Sequence, residues 1–142
     1  MSLRSIKQQK GFTIIELLIV IIVIGILAAL VLNAFGNIQE RARDTERRSD
    51  VNAIHTQLEL YYADNGDYPN STTKAGLVTA MPDLNSDALD DPSGDAINAG
   101  GANGYDYAPL PAGCVAGACT SYTLSATLEE DGSTFSRNSL NN

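Results

Sequence analysis

The stretch KGFTIIELLIVIIVIGILAALVL, residues 10–32, decides the fold. From Leu17 to Leu32 no residue carries a charge, and only Gly25 interrupts the apolar run. As a helix, Phe12 to Leu32 would extend about 31 Å at 1.5 Å per residue, enough to cross a bilayer core. Glu16 stands near the start with no basic residue beside it. A carboxylate well inside a bilayer costs roughly 2.5–3.5 kcal/mol on insertion scales. A segment that otherwise avoids polarity therefore keeps this acid for a reason.

Working outward, residues 1–11, MSLRSIKQQKG, are polar and basic with no acid. Positive charge before an apolar span predicts a cytoplasmic N-terminus and translocation of the rest. A secretory signal would share the basic start and the apolar core, and AALVLNAF offers small-residue cleavage positions. An unprocessed membrane anchor is the other simple reading. Neither explains why Gly11, Phe12 and Glu16 occur together.

Beyond the apolar run the helical pattern continues, which an anchor does not require. GNIQERARDTERRSD, residues 36–50, alternates charges among helix formers. The Arg41–Arg48 cluster reads as a solvated helix face whose arginines pair with acids of adjacent subunits, with headgroup contact compatible before assembly. Val51, Ile54, Leu58, Tyr61 and Tyr62 then recur at helical spacing. Asn65-Gly66 is a stop signal and Pro69 prevents resumption. The expectation is one helix of about fifty residues by this spacing, with Asn33 and Gly36 as its points of poorest propensity.

The remainder reads as loop and short strand. SYTLSATL, residues 121–128, alternates Tyr122, Leu124, Ala126 and Leu128 with Ser and Thr, a half-buried strand. GYDYAP at 104–109 alternates similarly, STFS supplies a third strand, and Glu130-Asp131-Gly132 turns between the last two. Residues 82–103, rich in Asp, Asn, Gly and Ala, read as an ordered loop.

Nine Lys or Arg oppose seventeen Asp or Glu, a net of −8. Seven of the nine bases precede residue 49; from there on, Lys74 and Arg137 face thirteen acids, a net of −11. Such a surface repels phosphate backbones, so nucleic-acid binding by the monomer is not expected. Cys114 and Cys119 stand five apart in GCVAGACT. Outside the cytoplasm a disulfide is the expected reading, against free thiols or a metal site that lacks further ligands nearby. His55, beside the amphipathic stripe, reads as a surface or boundary residue. Asp83, Asp87, Asp90, Asp91, Asp95 and Asp106 read as a solvated acidic loop; Asp90, Asp91, Asp95 and Asp106 are weak calcium candidates, and their spacing fits no EF-hand loop. Gly100-Gly101 opens no helix and cradles no phosphate. No nucleophile–base or metal constellation points to an enzyme, and no cofactor is expected.

KGFTIIELLIVIIVIGILAALVLNAF resembles the N-terminal signal of type IV pilins and their relatives. RRSDVNAIHTQLELYYADNGDYP, residues 47–69, resembles the helix end of pilins and type II secretion pseudopilins. PSGD at 92–95, YDY and SYTLSATLEEDG resemble segments of small pilin heads more weakly. The resemblance implies cleavage between Gly11 and Phe12 by a membrane prepilin peptidase and methylation of the new Phe12 amine. It implies that Glu16 meets the amine of a neighbouring subunit's Phe12 during assembly, because a paired charge in apolar surroundings costs far less than a lone one. A carboxylate at a helix start also complements the macrodipole, and the two roles are compatible. Many members have a proline where this chain has Asn33.

The resulting expectation is an α+β, pilin-like fold: a long N-terminal helix, apolar in its first half, packed on a small antiparallel sheet. Its parts would be a leader 1–11, an apolar membrane and filament-core helix 12–36, an amphipathic continuation 37–66, and a head 67–142 containing the Cys114–Cys119 loop. The implied function is a structural subunit of a type IV pilus, serving adhesion, motility or DNA uptake. The alternative is a major pseudopilin of a type II secretion system, some of which bind calcium in the head. Implied partners are further copies in a helical homopolymer and an inner-membrane platform with a cytoplasmic ATPase. The precursor would be single-pass in the cytoplasmic membrane, the assembled filament extracellular.

Overall fold

A computed structural model describes residues 11–141, the side chains of residues 33 and 34 excepted. The expected leader, apart from Gly11, lies outside the described residues, as do Arg4, Lys7 and Lys10. The chain divides into two compact units, Met1–Asn37 and Ile38–Asn142.

Helix α1 runs Ile14–Asn65, 52 residues, matching the long helix read from the sequence. It continues without interruption through Gly25, Asn33 and Gly36, where propensity is poorest. In the first unit every residue from Ile14 to Leu32 is exposed. This is the one helix among the described residues long and apolar enough to cross a membrane, with a mean hydropathy of 3.3 over its most apolar window.

The second unit is an α+β head. Asp44, Arg47, Val51, Ile54 and Leu58 recur at spacings of three and four, and all are buried. The core combines this stripe with Tyr105 and Tyr107 of strand β1 (Tyr105–Leu110) and with Tyr122, Leu124 and Ala126 of β2 (Ser121–Thr127). β3 (Thr134–Asn138) completes an antiparallel sheet of order β1-β2-β3. The register pairs Tyr107 with Leu124 and Ala126 with Phe135. In β2 the residues at 122, 124 and 126 point into the core, as their period of two requires.

Helix α1 ends where expected: the Gly66 amide donates to the Tyr62 carbonyl at 2.8 Å with Gly66 at φ +80°, a left-handed cap. The chain then turns beneath the disulfide loop. Tyr68 N donates to Cys119 O (2.9 Å) and Gly117 N to Asp67 Oδ2 (2.6 Å). Tyr68 stacks on Tyr62 and meets Tyr122 edge-on, both at 4.7 Å between ring centroids.

Two short elements differ from the sequence reading. Lys74–Ala80 is a seven-residue helix, α2, capped by Thr73, whose hydroxyl accepts from Gly76 N. With Gly76 and so few turns, it offers little periodicity to recognise. Ser86–Leu89 is a single 3₁₀ turn within the expected loop, and an isolated bridge joins Asp90 to Ala96.

Cys114 and Cys119 form a disulfide that closes the loop holding Asp67 and Tyr68. Replacing both with serine should lower the head's stability by about 2 kcal/mol, the loop-closure entropy of so short a ring. Denaturant unfolding of the detergent-solubilised chain would measure this. An unchanged midpoint would assign the bond no stabilising role.

Candidate functional site

The N-terminal end of α1 carries the first candidate site. Thr13 caps the helix: its carbonyl accepts from Leu17 N at 3.2 Å, and its hydroxyl accepts from Glu16 N at 3.2 Å. Glu16 Oε2 in turn accepts from Thr13 N (2.7 Å) and from the Thr13 hydroxyl (2.8 Å). T-I-I-E is therefore a reciprocal capping box, with Glu16 at the third helical position. The four-residue pattern was visible in the sequence, where Glu16 was read only for its charge and its nearness to the helix start. Oε2 takes both Thr13 donors, while Oε1 has no hydrogen bond among the described residues. Phe12, just before the cap, is 89% exposed, and Gly11 has no atom within 4 Å of where a Cβ would stand.

The second site lies in the head. Arg47, on the buried stripe, is fully buried and meets three carboxylates from three segments. Its Nη1 donates to Asp44 Oδ1 (2.9 Å) one turn earlier; its Nε and Nη2 donate to Asp91 Oδ2 and Oδ1 (2.5 and 3.2 Å) in the loop after the 3₁₀ turn. Nη2 also donates to Glu129 Oε1 (2.5 Å) in the β2–β3 turn and to the Ser93 hydroxyl (3.2 Å). Arg43 holds the same Glu129 carboxylate, and Asp44 accepts from the amides of Glu129 and Glu130. One guanidinium thus ties helix, loop and hairpin together, and no buried side-chain polar atom among the described residues lacks a partner.

This corrects the reading of residues 41–48 as a face reserved for neighbouring subunits. Arg47 is turned inward, and Arg41, Arg43 and Arg47 pair with Glu130, Glu129, Asp44 and Asp91 of their own chain. The signal was the spacing of Asp44 and Arg47 in register with Val51, Ile54 and Leu58. Charge made these two look solvated, and their acids at 91 and 129 are distant in sequence. Arg48 and Arg137 flank the Phe135 ring instead, at 5.2 and 4.8 Å from its centroid.

The electrostatics follow from the contacts. Burial opposes charge on Arg47, but the hydrogen bonds it donates to Asp91, Glu129 and Asp44 outweigh it and raise its pKa above the ordinary value. Burial likewise opposes charge on Asp44 and Asp91. The Glu129 and Glu130 amides and Arg47 overcome it at Asp44, while Arg47 and Ser93 do so at Asp91, so both stay below the usual carboxylate range. Arg43 holds Glu129 low, with Arg47 adding to it.

The calcium candidates are not brought together: among the described residues no group of three or more His, Cys, Asp or Glu could hold a metal. Asp91 is committed to Arg47 and Asp90 pairs with Lys74. Asp95 lies against Gly101, where a Cβ would come within 2.0 Å of its Oδ2, and Asp106 is on the outer face of β1. His55 is half-buried, with Nδ1 2.6 Å from the Tyr122 hydroxyl, which donates to Glu59 at 2.9 Å. Glu59 also accepts from the Tyr68 hydroxyl (3.0 Å) and Leu140 N (3.2 Å), a hub the sequence reading missed.

An apolar helical span opened by this capping box, continuing into a small α+β head, is the architecture of a pilin-like subunit. The prokaryotic N-terminal methylation motif matches residues 6–32. The chain is similar to type II secretion system core protein G of Dickeya chrysanthemi, 43% identical over 77 residues, 54% of this chain and 50% of that protein. It is 37% identical over 94 residues to core protein G of Klebsiella pneumoniae, 64% and 65% of the two chains. It is 38% identical over 76 residues to the type IV major pilin protein PilE1 of Neisseria gonorrhoeae, 54% and 46%. The chain spans about half the length of most of the curated relatives it matches. No solved structure matches it.

Replacing Arg47 with methionine would strand buried carboxylates, a loss of about 3–5 kcal/mol at neutral pH. In the parent chain the depressed carboxylates stabilise the fold above their unfolded values, 3.8 for Asp and 4.5 for Glu, and that contribution is lost as pH falls below them. The variant should therefore keep its deficit from pH 7 to about 5 and narrow it as pH drops further towards about 2. Thermal unfolding of both chains across that range checks this. A constant gap would mean that Arg47 does not set the ionisation of the cluster.

Proposed function

We propose that this chain is a structural subunit of a type IV pilus, processed between Gly11 and Phe12 and polymerised through α1. The observation that carries this reading is the exposed apolar span of α1, Ile14–Leu32, whose sole acid, Glu16, is fixed by a capping box with Oε1 unengaged among the described residues. Cleavage after Gly11 would place a protonated amine on Phe12 and present it to the Glu16 of a neighbouring copy. Ion pairing in an apolar setting penalises any register that leaves either charge alone. The apolar surface lies in the membrane before assembly, with the head translocated, and is buried by other copies afterwards. The subunit has a structural role and no catalytic one, and it needs no metal ion or cofactor; its partners are other copies, a prepilin peptidase and an assembly platform driven by an ATPase. The filament stands on the cell surface and serves adhesion, motility or DNA uptake.

A second reading, a pseudopilin of a type II secretion system, is favoured by the relatives named as core protein G. The pilus reading is supported against it by the head's closure. Arg47 fills the centre on which Asp44, Asp91 and Glu129 converge, and the disulfide closes the loop above Asp67.

Glu16→Ala should leave membrane insertion intact while reducing surface filaments by at least about tenfold, an ion pair's worth of about 1.4 kcal/mol or more per contact. Electron microscopy with membrane fractionation reads both quantities. Filaments of ordinary number and length from the variant would contradict the role given to Glu16. A processed subunit retained in the envelope, whose loss halts protein secretion, would select the pseudopilin reading.

A further inference from the structure

Two surfaces at the edge of the head's core, where Phe135 and Tyr61 are only partly buried, are complementary in charge. The first is a cationic knob. Arg48 of α1 and Arg137 of β3 flank Phe135, and neither makes an ion pair among the described residues. Arg137 is steadied by donating to Asn52 Oδ1 at 2.9 Å, so the guanidinium is held in place. Arg137 is one of only two bases, against thirteen acids, from residue 49 onward, and Arg48 lies just before that stretch.

The second surface is a groove of about 270 Å³ between the end of α1 and the segment after α2. Leu60, Tyr61, Met81 and Pro82 line it together with the acids Asp64 and Asp83. Leu60 is 54% exposed, and both acids are exposed with no hydrogen bond or ion pair among the described residues. Two guanidinium groups held at one ring match an apolar slot that carries two carboxylates and a tyrosine.

The two surfaces cannot meet within one chain. At about 100° per residue, Arg48 lies on one flank of the buried stripe, while Leu60, Tyr61 and Asp64 lie on the other. The separation along α1 is about 20 Å at 1.5 Å per residue. We propose that the Arg48–Phe135–Arg137 knob of one subunit docks in the Leu60–Asp64–Asp83 groove of a second copy, forming a repeated contact between globular heads along the filament. The inference rests on the polymerising reading above and adds a contact that the apolar helix does not supply. Between copies stacked in parallel, as the polymerising reading requires, the axial offset makes the contact heterologous, and its repetition extends a filament. Each exposed ion pair is individually weak, so the contact acts through its repetition.

The test is charge reversal in the full chain. Arg48→Glu with Arg137→Glu, or Asp64→Arg with Asp83→Arg, should each reduce filament number about tenfold, and the four changes in one chain should restore it. Retention of the Cys114–Cys119 disulfide and of protein level checks folding. As a second measurement, chains carrying Arg48→Cys and chains carrying Asp64→Cys are co-expressed; they should form a cross-linked dimer that neither forms alone. Filaments indifferent to both reversals, a fourfold variant no better than either half, or Asp64→Cys captured only by a different protein would each overturn the contact and leave the polymer reading standing. Absence of filaments from the unaltered chain would overturn both.

Discussion

An apolar helical surface that its own chain does not cover is the constraint on which the rest of this structure depends. From Ile14 to Leu32 no residue is buried, and the exposure extends to Phe35 and Ile38. At about 25 cal/mol per Å² of apolar surface removed from water, so long a stripe is strongly driven to find cover. A bilayer supplies it, and so does a bundle of identical helices. In either setting an unpaired carboxylate is penalised, which is the physical basis of the register role proposed for Glu16.

The head obeys the opposite rule: it buries most of its large apolar side chains in a core of its own. Its stripe on α1 begins with the charged pair Asp44 and Arg47 and passes into Val51, Ile54 and Leu58 without changing face. The apolar part packs on the tyrosines of β1 and β2, while Arg47 gathers the acids of the loop and the β2–β3 turn. A buried ion cluster is weak evidence of net stability, since desolvation offsets much of the attraction. Its firmer consequence is geometric. A planar guanidinium with fixed donors accepts few arrangements of Asp44, Asp91 and Glu129, so it fixes where the loop and the hairpin sit.

Much of this was legible in the residues. The length of α1, its end at Asn65, the alternation in β2 and the hairpin at residues 130–132 follow from local periodicity and turn chemistry, and all appear in the structure. The T-I-I-E capping box was equally local, though it was not read as one. What stayed hidden depends on contacts across long sequence separations. Nothing near residue 47 announces partners at 91 and 129, so Arg47 read as a surface charge. Glu59 looks like any helix glutamate until Tyr68, Tyr122 and Leu140 converge on it. Helix α2 was missed for a different reason: seven residues containing a glycine give too few turns for a pattern to emerge.

Intact-mass analysis of filaments sheared from the cell surface, with electron microscopy of the same fraction, tests whether Gly11-Phe12 is a processing site and the exposed helix an assembly surface. Long filaments whose main subunit begins at an N-methylated Phe12 are expected. A chain that stays in the membrane with residues 1–11 attached, and no filaments in the sheared fraction, would contradict both.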